Sequence, residues 1–346
     1  MATELKLVEN EPQSDDVGFS LDGSNDSVEI DELSVNAKGG TEMMKYGLYE
    51  RLSEDIRDKV QIICSRVRKV DEDRPSILWL HDLYADPESV HLRDEESRKR
   101  FAKLVFVSHW QWTTYQMTMG IKPEEAIILR NAIEPIEAHD KPDDGTINLI
   151  YHTTPHRGLE LLAPVVEFLT AEQGYDNIHL DVYSSFEAYG WPQRDEPYQQ
   201  LFEKIKNHPN MTYHGYQPNE VVREALKKAH IFAYPSIWEE TSCIAAIEAM
   251  SAGCAIITPF HGALPETTGN FAFAYQPSSD HQDHANIFAN VLHNVLQLYI
   301  NDPESMKQRL SFQKTWTDNF YNWNQRAKEW EGLIHGILAA EDQKKA

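Results

Sequence analysis

Two glutamates, Glu240 and Glu248, lie with seven residues between them at the start of a segment whose apolar residues have a helical repeat. The segment follows an apolar run that ends at Pro235 and precedes a second short apolar run at residues 255–257. This order predicts a strand, a loop, a helix that begins near Ser242, and a second, parallel strand. In such a unit the carboxyl ends of the strands and the helix start form a binding site for an anion. Because carboxylates repel phosphate, the two glutamates are expected to bind neutral hydroxyls, which a sugar and a ribose both supply.

The longer stretch from Ile231 to Gly269 resembles the E-x7-E signature of the retaining GT-B glycosyltransferases. In that family the motif is followed by a helix of small residues, a glycine, an apolar strand and a loop that ends in Pro-Glu, here residues 262–266. The resemblance implies that Glu240 contacts the donor sugar and that Glu248 contacts the ribose hydroxyls. It also implies an α/β fold of the GT-B type, in which two Rossmann-like domains with parallel sheets face a cleft. In that fold the C-terminal helix crosses back to the first domain.

The composition indicates a soluble globular protein that is long enough for two domains. The chain has 346 residues, of which 41% are apolar and 25% charged, and its formal net charge is −23. Such an acidic surface repels nucleic acid and anionic membranes, so neither is expected as a partner. Three cysteines without metal-ligand spacing suit a reducing compartment, and neither a signal peptide nor a run of 18 apolar residues is evident. We therefore expect a cytoplasmic protein without an integral membrane segment.

The first half of the chain carries a glycine-rich loop and a histidine that suit the same cleft. Gly39 and Gly40 lie just before a helical repeat, so their backbone N–H groups can approach a phosphate closely. Apolar runs predict four parallel strands, at residues 60–63, 77–80, 104–107 and 127–129. His81 follows the second run directly. A lone histidine is as often structural as functional, but the resemblance implies a histidine here beside the reacting sugar, and it matches Gly39-Gly40 to a loop that faces the donor.

In the second half, the resemblance assigns the remaining donor contacts. An apolar run at 147–151 is followed by a loop in which His152 and Arg157 match an arginine and a lysine that clamp the diphosphate in the resembling enzymes. Arg157 keeps a permanent charge, whereas His152 can be neutral at pH 7. The other donor-binding candidates are at the helix start and in a loop beside the nucleotide base, namely Thr241, Ser242, Cys243, Gly215 and Tyr216. An ordinary connecting loop would have a similar sequence at the last two positions.

The pattern divides the chain into an acidic N-terminal segment, an acceptor-side Rossmann-like domain, a linker, a donor-side Rossmann-like domain, and a terminal helix with a tail. Their ranges are 1–27, 28–137, 138–145, 146–315 and 316–346. Five residues of the last part follow at steps of four, three, four and three, namely Trp316, Phe320, Trp323, Ala327 and Trp330. This spacing predicts one terminal helix with a wide aromatic stripe, which is expected to cross back to the first domain.

Other motifs predict no second chemistry. Asp71-Glu72-Asp73 mimics the Asp-x-Asp metal motif of the other glycosyltransferase fold, but its charged surroundings favour a solvated turn. His281 and His284 have helical spacing without a third metal ligand nearby. The phosphate-loop and nucleophile-elbow motifs of ATPases and serine hydrolases are missing from the sequence, as is the glycine fingerprint of dehydrogenases.

These residues and the resemblance predict a retaining glycosyltransferase that is independent of metal and requires no cofactor. The donor would be a UDP-, GDP- or ADP-sugar, and the acceptor a glycan or another hydroxyl compound. Glu240, His81 and Arg157 are the catalytic candidates, and no enzymic nucleophile is obvious. Two alternatives stay open: a sugar-nucleotide epimerase of the same architecture, and a non-catalytic nucleotide-sugar-binding protein. The sequence indicates no oligomeric state.

Overall fold

Two parallel β-sheets organise the protein, in a computed structural model that describes residues 39–345. The first sheet contains β1 (Gln61–Cys64), β2 (Ser76–Leu80), β3 (Lys103–Phe106) and β4 (Ala126–Ile128). The second contains β5 (Ile147–Tyr151), β6 (Ile178–Val182), β7 (Met211–Tyr213), β8 (Ile231–Ala233), β9 (Ala255–Pro259) and β10 (Phe273–Tyr275). The strand orders are β1-β2-β3-β4 and β10-β9-β8-β5-β6-β7.

The central strands are buried on both faces, as parallel strands covered by helices must be. All five residues of β2 are buried, and Ile77 on β2 pairs with Ile62 on β1 and with Lys103 on β3. The burial requires continuous apolar runs, which explains why these strands could be read from the sequence. Since every strand in a sheet points the same way, the loop that starts at His81 leaves the first sheet at its carboxyl edge.

The order of the second sheet brings two loops together. The chain passes from β5 through β6 to β7 on one side and then returns to place β8 on the other side of β5. The loops that follow β5 and β8 therefore leave the sheet side by side, at the switch point where open α/β sheets bind ligands. Arg157 lies on the first of these loops and Glu240 on the second.

Helices cover both sheets. Those that follow strands of the first sheet, or precede them, are α1 (Gly40–Tyr49), α2 (Glu54–Arg57), α3 (Glu95–Arg98) and α4 (His109–Met119). Those of the second are α5 (Leu159–Ala171), α6 (Gln199–Lys206), α7 (Asn219–Lys228), α8 (Ile244–Ser251), α9 (Leu264–Thr268) and α10 (His281–Asn301). The chain ends in α11 (Pro303–Phe320) and α12 (Trp323–Lys345). Short 3₁₀ turns occupy Pro87–Arg93, Pro123–Glu125, Pro155–Arg157, Phe186–Tyr189 and Pro192–Tyr198.

The C-terminal part crosses back to the first sheet, as the resemblance implied. Trp330 on α12 is fully buried with its ring centroid 4.8 Å from that of Trp79 on β2. Trp323, Ile334 and Ile337 belong to the same apolar core as β1 and β2. The prediction of one terminal helix was wrong, because the helix is interrupted at residues 321–322 and the aromatic stripe is split between α11 and α12.

The interruption has a structural role in the crossing. The Ile133 N–H donates to the Tyr321 carbonyl at 2.7 Å, and Ile133 forms an isolated parallel bridge with Asn322. The Tyr321 hydroxyl donates to the Thr267 carbonyl at 3.0 Å. The two segments that connect the sheets are therefore hydrogen-bonded to each other.

Three further points concern the sequence predictions. The helix expected near Ser242 begins at Ile244, with Cys243 as its N-terminal cap. The acidic segment 1–27 lies outside the described residues, and the predicted domain boundaries stay predictions, although all ten strands named above fall within the ranges 28–137 and 146–315. Within residues 39–345, no helix combines the length and the apolar character needed to cross a bilayer.

Candidate functional site

The backbone of Glu240 is fixed by a close contact with a second loop. Gly262 adopts a left-handed conformation (φ 57°), and a Cβ atom there would lie 2.5 Å from the Glu240 nitrogen. Only glycine fits this approach. The next residue, Ala263, donates its N–H to the Glu240 carbonyl at 2.7 Å. The glycine-rich loop that follows β9 therefore positions Glu240 without contacting its carboxylate.

The Glu240 carboxylate forms a buried ion pair with Arg157. Nη1 of Arg157 lies 2.6 Å from Oε1 of Glu240, and the two side chains are 19% and 6% exposed. The Tyr234 hydroxyl donates to the same oxygen. Burial opposes the charge of Arg157, but the carboxylate of Glu240 outweighs it and raises the guanidinium pKa. Because both donors reach Oε1, Oε2 is the oxygen that is available to ligand hydroxyls.

A second glycine fixes the loop that carries Arg157. Gly158 has φ 119°, and a Cβ atom there would lie 2.2 Å from the carbonyl oxygen of Pro235. The contact is with backbone, which cannot move aside as a flexible side chain would. The Ile237 N–H also donates to the Arg157 carbonyl, at 3.3 Å. The loops after β5 and β8 are thus joined through their backbones, and their side chains meet as a consequence.

Glu248 is held by a different helix. Its Oε1 accepts from Nη1 of Arg223 at 2.7 Å and its Oε2 from Nδ2 of Asn219 at 3.0 Å. Burial raises the Glu248 pKa, although Arg223 and Asn219 oppose the rise. Nη2 of Arg223 donates to the carbonyl of Glu134, on the segment that connects the two sheets. Each carboxylate oxygen can accept a second hydrogen bond, so these contacts leave capacity for ribose hydroxyls.

Three histidines near the pair are neutral at pH 7. Burial lowers the pKa of His81 to about 3, that of His152 to about 4 and that of His156 to about 3. The rings of His81 and His152 lie 4.6 Å from Trp79 and 4.9 Å from Phe232, measured between centroids. Of the two residues matched to the diphosphate clamp, only Arg157 is therefore a cation.

Several polar atoms in these loops are buried without a well-formed hydrogen bond to any described residue. They are the ring nitrogens of His81 and His152, Nδ1 of His156, the hydroxyls of Thr153 and Thr154, and Nε of Arg157. A buried polar atom is costly unless a partner satisfies it. Their concentration at the carboxyl edges of β2 and β5 fits a polar ligand that bridges the two sheets.

The first sheet contributes its side of the cleft through direct contacts. The Thr241 hydroxyl donates to the His81 carbonyl at 2.7 Å. Gly39 caps α1 and packs so closely on Tyr189 that a Cβ atom would lie 2.5 Å from the Tyr189 ring, while one on Gly40 would lie 3.1 Å from Ile244. The two predicted halves of the site thus meet in the structure.

The remaining predicted residues are less closely connected to the ion pair. Cys243 is buried at the start of α8, and burial raises its thiol pKa, so it is not a reactive thiolate. Ser242 precedes it in the loop. Gly215 (φ 65°) and Tyr216 follow β7, at the same edge of the sheet as the ion pair.

Sequence reasoning missed two tyrosines of the site. Tyr234 donates to Glu240, and Tyr189 lies 3.3 Å from Nη2 of Arg157 through its hydroxyl. Tyr234 ends the apolar run before Pro235, so its position at a strand end was a usable signal. The segment that carries Tyr189 has no periodic pattern and gave none.

Comparison with known proteins identifies the second half of the chain. The profile of the family described as "Glycosyl transferases group 1" matches residues 141–309, which include Arg157, Glu240 and Glu248. Residues 141–309 are a glycosyl transferases group 1 domain. Every residue predicted for donor binding or catalysis in the second half lies within this group 1 domain.

Two curated proteins resemble the group 1 domain and its surroundings, and both belong to phosphatidylinositol N-acetylglucosaminyltransferase, as one of its subunits. The Arabidopsis thaliana protein is 24% identical over 273 residues, covering 76% of this chain and 56% of that protein. The Homo sapiens protein is 23% identical over 167 residues, covering 47% of this chain and 33% of that protein. The chain thus aligns with only about half, or less, of each relative.

Solved structures show that the group 1 domain belongs to a GT-B fold. A glycosyltransferase from Rickettsia africae superposes with a TM-score of 0.64 at 14% identity, covering 88% of this chain and 84% of that one. Sucrose-phosphate synthase from Thermosynechococcus elongatus gives 0.57 at 17% identity, covering 78% and 69%. Anabaena HepE in complex with UDP-glucose gives 0.57 at 14% identity, covering 77% and 72%.

The metal question can be stated for the described part of the chain. Within residues 39–345, no group of three or more His, Cys, Asp or Glu side chains is arranged to hold a metal ion. Asp71 pairs with Arg74 at 2.7 Å and accounts for the charged turn. In the group 1 domain, the cation available to an anionic ligand beside Glu240 is Arg157.

Proposed function

We propose that the protein is a retaining glycosyltransferase that transfers a sugar from a nucleotide-diphosphate sugar to a hydroxyl of a glycan or another sugar-containing acceptor. The carrying observation is the buried pair of Arg157 and Glu240 at the switch point of the second sheet, facing His81. A guanidinium beside a carboxylate with one free oxygen suits a ligand that carries both a diphosphate and hydroxyls. The curated relatives and the UDP-glucose complex of HepE favour a UDP-sugar as the first donor to test.

The chemical difficulty is the departure of the diphosphate, because positive charge develops at the anomeric carbon of the sugar. Arg157 and the N–H groups at the start of α8, after Thr241, stabilise the leaving charge. Glu240 orients the sugar by accepting from its hydroxyls through Oε2. The neutral imidazoles of His81 and His152 hydrogen-bond the donor without adding charge.

Retention follows from a reaction on one face of the sugar. The bond from the anomeric carbon to the diphosphate oxygen breaks while the acceptor oxygen forms the new bond on the same side. The acceptor hydroxyl gives its proton to the departing phosphate oxygen, so the scheme uses no protein nucleophile, metal or cofactor. Glu248 binds the ribose, and Gly215 and Tyr216 border the base. Contact between the sheets excludes water and favours transfer over hydrolysis.

The proposal is tested first by ligand binding and then by turnover. Nucleotide sugars are screened by thermal shift, and the best is assayed for slow hydrolysis and for transfer to added glycans. Glu240→Gln should lower transfer by about a hundredfold or more while nucleotide affinity falls little. Glu248→Gln should mainly raise the donor KM. Glu239→Gln, at the adjacent and partly exposed carboxylate, is the matched control and should behave as wild type.

Three outcomes would count against the proposal. Wild-type transfer by Glu240→Gln would remove the role given to its carboxylate. An isomerised donor in the absence of any acceptor would indicate an epimerase. Donor binding without hydrolysis or transfer under any condition would indicate a binding protein.

A further inference from the structure

A segment between β6 and α6 presents aromatic side chains at the cleft. It contains the 3₁₀ turns Phe186–Tyr189 and Pro192–Tyr198. Asp195 is buried beneath it and accepts from the Ser185 hydroxyl and from the Phe186 N–H, the latter at 2.8 Å. This anchor gives the segment a defined shape. Trp191 nevertheless stays 38% exposed, although burial of an indole ring is favourable.

Trp191 is connected to a second exposed tryptophan, Trp238, by two chains of contacts. The first runs from Trp191 to Tyr189 (centroids 6.1 Å apart), then to Arg157 (3.3 Å between Nη2 and the hydroxyl), whose guanidinium lies 5.7 Å from the Trp238 ring. The second runs through Arg194, Phe186 and His156, whose ring lies 4.9 Å from Trp238. We call the aromatic members of this closed ring, Trp191, Tyr189, Phe186, His156 and Trp238, the aromatic rim.

The aromatic rim borders the reaction site on two sides. Arg157, a member of the closed ring of contacts, forms the ion pair with Glu240. Tyr189 touches Gly39 at the start of α1, which belongs to the first-sheet side of the cleft. The two tryptophans, 38% and 39% exposed, therefore stand where a compound entering between the sheets must pass.

The chemistry of the aromatic rim selects a neutral saccharide. A pyranose ring has apolar C–H faces that pack on aromatic rings, and hydroxyls that bond to polar groups at the ring edges, here the Tyr189 hydroxyl and the Arg194 guanidinium. The formal net charge of −23 disfavours an anionic partner, while a neutral saccharide meets no such repulsion. The Arg194 charge is already directed at the Phe186 and Trp191 rings, with its carbon 4.8 and 5.6 Å from their centroids.

We propose that the aromatic rim is the subsite for the acceptor, and that the acceptor is a neutral saccharide whose ring packs on Trp191 and Trp238. The assignment to the acceptor rests on the proposed transferase function. Binding of the saccharide itself can be measured without a donor, so the two proposals can fail separately.

The experiment measures binding of neutral hexasaccharides built from glucose, N-acetylglucosamine, mannose or galactose to the full chain. Binding is followed by tryptophan fluorescence and by saturation-transfer NMR, and UDP binding is measured in parallel. At least one hexasaccharide should bind, and Trp191→Ala and Trp238→Ala should each weaken it by about tenfold. Trp191→Phe should restore most of the affinity. Phe312→Ala, at an aromatic side chain of α11 that is 64% exposed, is the control and should leave binding unchanged.

The opposite results are distinct. Equal saccharide affinity in wild type and both alanine variants, with unchanged melting temperatures, would overturn the inference. An equal loss of UDP and hexasaccharide affinity would assign the aromatic rim to the donor and overturn it too. If no hexasaccharide binds although a nucleotide sugar is hydrolysed, the saccharide acceptor is refuted while the proposed function stands. Saccharide binding without any nucleotide-sugar turnover would refute the function and leave the subsite.

Discussion

Replacing Arg157 with methionine tests whether the buried ion pair organises the site. The side chains of Arg157 and Glu240 are 19% and 6% exposed and their charged atoms are 2.6 Å apart. Removing one partner of a buried pair leaves the other charge uncompensated and costs about 3 to 5 kcal/mol. Because the Tyr234 hydroxyl still donates to Glu240, we expect about 3 kcal/mol, at the lower end of that range. For a domain of this size, that loss lowers the melting temperature by roughly 6 to 12 °C.

The assay is a double-mutant cycle in thermal and urea unfolding. Arg157→Met combined with Glu240→Gln removes both charges and should recover about 2 kcal/mol relative to the sum of the single variants. The control is Lys206→Met, which breaks the exposed pair with Glu203, 2.7 Å in length, and should stay close to wild type. If Arg157→Met is as mild as Lys206→Met, or if the two single losses simply add, the charges are not coupled and the reasoning fails.

Three further predictions follow from the surroundings of the site. The pKa values of His152 and His81, about 4 and about 3, lie below the ordinary value of 6.5, so the unfolded chain takes up these protons first; stability should be full above pH 6.5 and fall toward pH 4, and NMR titration should show no protonation of His152 above pH 5. Glu266 joins the sheets by accepting from the N–H groups of α4 at His109 and Trp110, which with the His109 side chain lower its pKa although burial opposes them. This contribution is present above the ordinary value of 4.5 and lost as the pH falls through the lower folded value, so Glu266→Gln should flatten the acid limb of the unfolding curve, and an unchanged limb would contradict the role. Gly158→Ala should weaken nucleotide binding more than tenfold because its Cβ would strike the carbonyl of Pro235, and tight binding by this variant in calorimetry would show that the loop can move.

The sequence was informative where burial enforces a continuous apolar pattern. The four strands of the first sheet and β5 were predicted within one or two residues, because a parallel strand covered on both faces must be apolar throughout. Glu240, Arg157 and His81 were found because strand ends and a helix start fix their place in any such sheet. These predictions required only the order of elements along the chain.

The sequence was uninformative where a long-range contact decides the local structure. The stripe from Trp316 to Trp330 has an unbroken helical repeat, yet the chain leaves the helix after Phe320 because the Tyr321 carbonyl is required by Ile133. The segment with Tyr189 and Trp191 is shaped by the buried carboxylate of Asp195, and no periodicity marks it. The neutrality of His152 depends on burial, which a single residue type cannot report.

The return of α12 to the first sheet has a consequence for biosynthesis. Trp330, Ile334 and Ile337 complete an apolar core whose other members come mainly from the first third of the described chain. The earliest residues to leave the ribosome therefore cannot bury the face around Trp79 until almost the last residues have been translated. The second sheet, whose strands and α5 to α10 are contiguous, can close first, so the C-terminal half of the molecule is expected to fold before the N-terminal half.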